Sequence, residues 1–397
     1  MNITPKQELV ARCEKLQHHL RANGIELALL LQNADLFYFT GSIQQGVMLV
    51  PATGKPIYCV RKELSRARVE SKLDTIVSLK SPRDLPGIMV EHGIAMPEVL
   101  GMELDVVPVA TYQRFTKPFP DVAVKDVTPL LRLVRMIKSE YELGLMRQAA
   151  KQEDVIYQRA LQVIREGMRD VELSAELEYA ARLSGHQGIT RMRAFNAEFY
   201  CGHAFSGSAS STPAFSDTPL GGPGVTPAVG QGAGNKIIAR NEPIIIDFLG
   251  AADGYLCDQT RTLCIGGLPD KLVQAYADMV KIQQHMVTIA KPGVSWGSIY
   301  DSCYQLACAM GYKDSFMGIA GAQVSFIGHG IGTEIDEFPF IARGFNEQLL
   351  EKNMTFAFEP KAVYPVLGAV GIENTYVVTD DGVASLTFSA ENLVVLS

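Results

Sequence analysis

Residues 244–262 read IIIDFLGAADGYLCDQTRT, and this stretch decides the fold of the half of the chain that carries it. Three isoleucines drive a segment into a core, yet the next residue is Asp247, and a second aspartate, Asp258, follows eleven positions on. Ala-Ala-Asp-Gly between them offers a two-residue β-hairpin turn. A turn at Ala252-Asp253 sets Asp247 directly opposite Asp258. A turn at Asp253-Gly254, a favoured pair, makes the two aspartates diagonal neighbours. In either register they share one face, because strand side chains alternate with period two. Like charges at cross-strand distance repel, and a buried charge is costly unless paired. Two carboxylates on the buried side of an Ile-rich hairpin therefore require a shared proton or a cation between them.

Three further residues bear on that choice. FIGHGIG places His329 between glycines, where backbone can approach closely. FAFEP puts Glu359 at the end of an apolar strand, as Asp247 ends III, and GIENTYVV puts Glu373 near the start of another. One nitrogen and four carboxylates suit divalent ions such as Mn²⁺, Fe²⁺, Co²⁺ or Zn²⁺. Four carboxylates exceed the needs of one ion, and two ions a few ångströms apart would use them better.

Asp247 and Asp258 at this spacing, followed in order by GHGIG, EP and ENT, resemble the pita-bread metallopeptidases. That family includes Xaa-Pro dipeptidase, aminopeptidase P, methionine aminopeptidase and creatinase. ADLFYFTGSIQQGVMLVPATGKP looks like the creatinase/prolidase N-terminal domain, and RMIKSEYELGLMRQAA like the linker into the catalytic domain. The resemblance implies an Xaa-Pro dipeptidase or aminopeptidase type of exopeptidase. It implies two divalent ions, Mn²⁺ or Co²⁺ before Zn²⁺ or Fe²⁺, held by Asp247, Asp258, His329, Glu359 and Glu373. Asp258 and Glu373 would bridge the ions and His329 would bind one. A metal-bound water would attack, Glu359 would move the proton, and Thr260 and Arg261 would orient the carboxylates. It also implies a homodimer and a small peptide substrate.

The chain departs from the family pattern at several points. Asp336 stands where H-E-x-P would put a histidine, although Glu337 and Pro339 keep their places. Pro213-Ala214 stands where Pro-His is usual. His203 is a replacement imidazole or a loop histidine facing water, so His203, Asp336 and Glu337 are the expected substrate-binding residues. These changes leave open a related enzyme acting on a small non-peptide molecule. Non-catalytic relatives commonly lose ligands, and this chain has lost none. Lys361 replaces a common glycine, its ammonium reaching a substrate carboxylate or facing solvent. His18, His19, His92, His186 and His285 read as surface.

The expected architecture is α+β: residues 1–134 form a small α/β domain, and 135–397 a catalytic domain with a curved antiparallel sheet and flanking helices. Alternating helix and strand patterns run from KQELVARCEKLQHHLRANG through ELALLLQ, GVMLVPATGKPIYCV, TIVSLK and EVLGMEL. Ser139 with Glu142 three residues later opens a long helix as a capping box. A second helix is expected at 171–185, and others at 269–291 and 296–311. Residues 201–235, rich in Gly, Ser and Pro, read as a long functional loop.

Composition sets outer bounds. A length of 397 residues suits two domains, and 47% apolar with 20% charged residues suits a globular enzyme. A net charge of −7 provides no basic face for nucleic acid. No apolar run reaches the roughly 18 residues of a membrane span. The N-terminus lacks a signal-peptide core, and seven scattered cysteines without a CxxC pair fit reduced thiols, so a cytoplasmic protein is expected.

Overall fold

Alternation within single strands builds the first core. The structure, a computed structural model, describes residues 2–397, and its contacts divide the chain into a unit of residues 1–135 with 193–197 and a unit of residues 136–192 with 198–397. The first unit runs α1 (Lys6–Ala22), β1 (Leu27–Leu30), α2 (Asn33–Thr40), β2 (Gly46–Pro51), β3 (Ile57–Val60), α3 (Leu64–Glu70), β4 (Ile76–Ser78), α4 (Leu85–Glu91), β5 (Val99–Met102), α5 (Val109–Thr116), β6 (Ala123–Asp126) and α6 (Thr128–Met136). Its six-stranded sheet has the order β4-β3-β2-β1-β5-β6. Ala28 and Leu30 of β1 face one core with Leu16, Leu20 and Phe39, while Leu27 and Leu29 face the other with Met89, Met102 and Phe115. The period of two thus feeds two layers of helices.

The second unit opens with α7 (Glu140–Val163), started by the Ser139–Glu142 capping box, and α8 (Asp170–Leu183). Then follow β7 (Gly202–Ser206), β8 (Ile244–Ala252), β9 (Tyr255–Ile265), α9 (Asp270–Ile289), α10 (Trp296–Ala309), β10 (Phe326–Ile331), β11 (Ile335–Ala342), β12 (Thr355–Phe358), β13 (Lys361–Tyr364), β14 (Gly368–Gly371), β15 (Asn374–Val378), β16 (Val383–Ser385) and β17 (Val394–Leu396). They form sheets ordered β17-β9-β8-β7 and β11-β10-β12-β15-β16, with a β13-β14 ribbon. A bridge between Thr260 and Glu373 joins the first two sheets.

The β8–β9 hairpin turns at Asp253-Gly254, both at positive φ (47° and 90°), as a two-residue turn of the mirror-image kind requires. The register pairs Asp247 with Thr260 and Leu249 with Asp258, so the aspartates are diagonal neighbours on one face. Ile244, Ile246 and Phe248 point the other way, into a core shared with Ile156, Leu173 and Leu177. Helix α7 closes against this hairpin, where Tyr255 donates its hydroxyl to Glu142 at 2.8 Å.

The region 201–235 is not wholly loop. Gly202–Ser206 is a buried edge strand antiparallel to β8, with His203 beside Asp247, and residues 207–211 form a 3₁₀ turn. Small residues hid its alternation; what remains, 212–235, is neither helix nor strand. All seven cysteines are free, and among the described residues no helix is long and apolar enough to cross a membrane.

Gly250 lets α7 reach the hairpin: a Cβ there would lie 2.0 Å from the Ala149 carbonyl oxygen. Gly250→Ala is expected to cost about 2–3 kcal/mol in urea unfolding by overpacking this contact, and a change below about 0.5 kcal/mol, the range of neutral surface substitutions, would contradict the close approach.

Candidate functional site

Five strands or strand ends converge on one small cleft. Asp247 lies in β8, Asp258 in β9 and His329 in β10, while Glu359 directly follows β12 and Glu373 directly precedes β15. The glycines around His329 admit the neighbouring strands: a Cβ on Gly328 would meet Ala357 O at 2.4 Å, and one on Gly330 would meet Phe338 at 2.3 Å. His329 Nε2 faces Glu359 Oε1 at 3.8 Å, Glu373 Oε1 at 3.8 Å and Asp258 Oδ2 at 4.0 Å. Asp258 Oδ1 and Glu373 Oε1 are buried without a hydrogen-bond partner. Orphaned carboxylate oxygens beside a buried imidazole form a donor set that fits a divalent ion.

The other oxygens answer to a different cation. Lys361 Nζ donates to Glu359 Oε2, to Glu373 Oε2 at 3.0 Å and to Asp247 Oδ2 at 3.3 Å. Lys361 is 1% exposed, so the expectation that it faces solvent or a substrate fails. The reason is period two: Lys361 follows Glu359 by two residues, and its side chain turns to the same side.

Burial raises the Asp258 carboxyl well above the usual range, and Glu373 and Asp247 add to it. The Glu359 carboxyl is pushed up to about 8, chiefly by burial, despite the opposing Lys361. Burial disfavours the Lys361 charge, but Asp247, Glu359 and Glu373 outweigh it and hold the ammonium protonated. Burial likewise opposes charge on His329, and Asp336, Glu359 and Glu373 prevail to raise it. In the absence of a metal ion, protons and the Lys361 ammonium offset the charge of the four carboxyl groups, and a divalent ion can take the place of those protons.

Thr260 Oγ1 donates to Glu373 Oε2 at 2.7 Å. Arg261 is buried and donates to the Glu373 carbonyl at 2.7 Å, to the Thr260 carbonyl and to Asn374 Oδ1, which fixes the strand that carries Glu373. Thr375, which the sequence reading did not single out, exchanges hydrogen bonds with the Asp258 backbone.

The cleft is lined by His203, Asp336, Phe199, Phe326, Asp217 and Thr218, among others. His203 does not face water: it is buried and stacks on Phe205 at 5.2 Å. Asp336, at a φ of 63°, brings Oδ1 to 3.6 Å from His329 Nδ1. Glu337 turns away from the cleft; it accepts from the Thr333 and Glu334 amides and pairs with Lys138. His186, expected at the surface, is buried.

Glu153 on α7 was also missed, since KQED reads as a solvated helix face. It is buried under the hairpin, accepts from Gly250 N at 3.3 Å, and has one orphaned oxygen.

The model described as metallopeptidase family M24 matches residues 144–380, and that of the creatinase/prolidase N-terminal domain matches residues 12–137. The chain belongs to metallopeptidase family M24. It is therefore a pita-bread hydrolase with a creatinase-like N-terminal domain, in a family that depends on divalent metal ions. This M24 chain is 26% identical to an Xaa-Pro dipeptidase of Pyrococcus furiosus over 96% of its own length and 99% of the relative's. It is also 26% identical to an Xaa-Pro dipeptidase of Lactobacillus delbrueckii, over 96% and 98%. The structure of an Xaa-Pro dipeptidase from Bacillus anthracis superposes with a TM-score of 0.82 at 24% identity, covering 98% of this chain and 100% of that one. A prolidase structure from Pyrococcus horikoshii gives 0.81 at 23%, covering 97% and 100%.

Burial raises the Glu153 carboxyl well above its ordinary range. The folded protein then binds that proton more tightly than the unfolded chain does, so stability falls as pH rises above the ordinary carboxylate range. Glu153→Gln removes this contribution. Urea unfolding in EDTA at pH 5 and pH 8 is expected to show a smaller pH-dependent loss in the variant; equal losses would contradict the assignment.

Proposed function

We propose that this M24 protein is a metal-dependent exopeptidase of the Xaa-Pro dipeptidase type, using Mn²⁺ or Co²⁺ before Zn²⁺ or Fe²⁺ and acting as a homodimer on small peptides. The carrying observation is the convergence of Asp258, His329, Glu359 and Glu373, with two orphaned oxygens among them. Full-length likeness to the two Xaa-Pro dipeptidases above supports the substrate class.

A divalent ion held there supplies Lewis-acid activation of water and of the scissile carbonyl. Glu359 takes the proton released on attack and returns it to the leaving amine. Burial raises the affinity of this carboxyl for a proton, and Lys361 opposes that rise. His329 Nδ1 meets the Gly330 carbonyl at 3.3 Å, with Asp336 Oδ1 at 3.6 Å, leaving Nε2 toward the carboxylates. As an acidic wall of the cleft, Asp336 also favours the ammonium of a free substrate N-terminus. Phe199, Phe326 and Ile335 supply apolar surface for a side chain or a proline ring.

A second reading, a small non-peptide substrate, is favoured by Ala214 and Asp336 in place of the usual histidines. Purified protein with Mn²⁺ or Co²⁺ is expected to cleave Xaa-Pro dipeptides and to lose that activity in EDTA. No turnover above metal-free controls would remove the peptidase reading and leave the second. Glu359→Gln is expected to lower kcat by about 10²–10⁴-fold, the usual worth of a positioned proton-transfer group; an unchanged kcat would move the proton role elsewhere. N-acetylation of a cleaved dipeptide is expected to raise KM, and an unaffected KM would remove the role given to Asp336.

A further inference from the structure

The carboxylate cluster is divided between two cations of different kinds. On the His329 side stand Glu359 Oε1, Glu373 Oε1 and Asp258 Oδ2. On the other side, Glu359 Oε2, Glu373 Oε2 and Asp247 Oδ2 surround the Lys361 nitrogen. An ammonium has three protons to donate, and Lys361 gives them to three different carboxylates. Among the described residues, the buried, unpartnered oxygens of the cluster belong to Asp258 and Glu373, while Asp247, its side chain 15% exposed, gives Oδ2 to Lys361.

We propose that Lys361 permanently occupies the place of a second metal ion, so that the chain binds one divalent ion, through Asp258, His329, Glu359 and Glu373, while Asp247 holds the lysine. This rests on reading the cluster as a metal centre. An ion bound to Asp247 Oδ2 and Glu373 Oε2 at ordinary metal–oxygen distances of about 2.0–2.2 Å would have to share those oxygens with Nζ, which lies 3.3 and 3.0 Å from them. Two positive charges a few ångströms apart in a buried site repel, and little water is present to screen them.

The lysine is directed at the cluster by strand pairing. It opens β13, paired with Gly371 of β14, and its stem lies across that glycine: a Cβ on Gly371 would come within 2.6 Å of Lys361 Cγ. Thr260 donates to the same Glu373 oxygen as Nζ, which completes that oxygen's partners. The stoichiometry of this centre is thus set by residue 361.

Equilibrium dialysis against MnCl₂ alone, followed by elemental analysis, tests this. The wild-type protein is expected to hold one Mn²⁺ per chain, with the electron paramagnetic resonance spectrum of an isolated ion. Lys361→Gly is expected to hold two, with the spectrum of an exchange-coupled pair. Asp247→Asn in the wild-type background is expected to keep one ion, which needs no glycine variant to fold. Two ions in the wild type, one in Lys361→Gly, or none in Asp247→Asn would each overturn the proposal while leaving a metal centre standing. No ion in the wild type would overturn both.

Discussion

Carboxylates buried within a few ångströms of one another repel, and the second unit is organised around that repulsion. Asp247 and Asp258 are delivered by one hairpin, while Glu359 and Glu373 stand at strand ends and are fixed by backbone bonds to the Ile327 and Thr260 carbonyls. Asp258, Glu359 and Glu373 are buried, and Asp247 is exposed only toward the cleft. The cluster is therefore stable only with protons or cations inside it, which couples the fold to pH and to whatever cations it holds.

The surroundings serve the same constraint. Arg261 grips the Glu373 carbonyl and the Asn374 side-chain amide oxygen, and Thr375 grips the backbone of Asp258, so the carboxylates keep their spacing against their mutual repulsion. Lys361 brings one positive charge that cannot be chelated away. Glu153, placed beneath the hairpin, escapes the problem differently: burial keeps its proton on.

Much of this was legible in the sequence, and the reasons are local. The Asp-Gly turn fixes hairpin register, and register with period two fixes the shared face of the aspartates. Ser139 and Glu142 mark where α7 begins. The glycines around His329 announce close packing, although what comes close is neighbouring strand rather than a ligand. Features set by tertiary contact were not legible. β7 is a strand because β8 offers it an edge, and its Gly-Ser composition carries no such signal. Glu153 and His186 sit in helix and loop patterns that read as solvated, and only the approach of the hairpin buries them. Lys361 is the instructive case. Its position two residues after Glu359 was visible, but a lysine at a strand start reads as exposed until its neighbours are known to be carboxylates.

The central claim concerns how many metal ions share the cluster with that lysine. An anomalous difference map from crystals soaked in Mn²⁺ addresses it most directly. The account predicts one peak, bounded by Asp258, His329, Glu359 and Glu373, with the Lys361 nitrogen still within hydrogen-bonding distance of Asp247. Two peaks, with Lys361 displaced from Asp247, would contradict it.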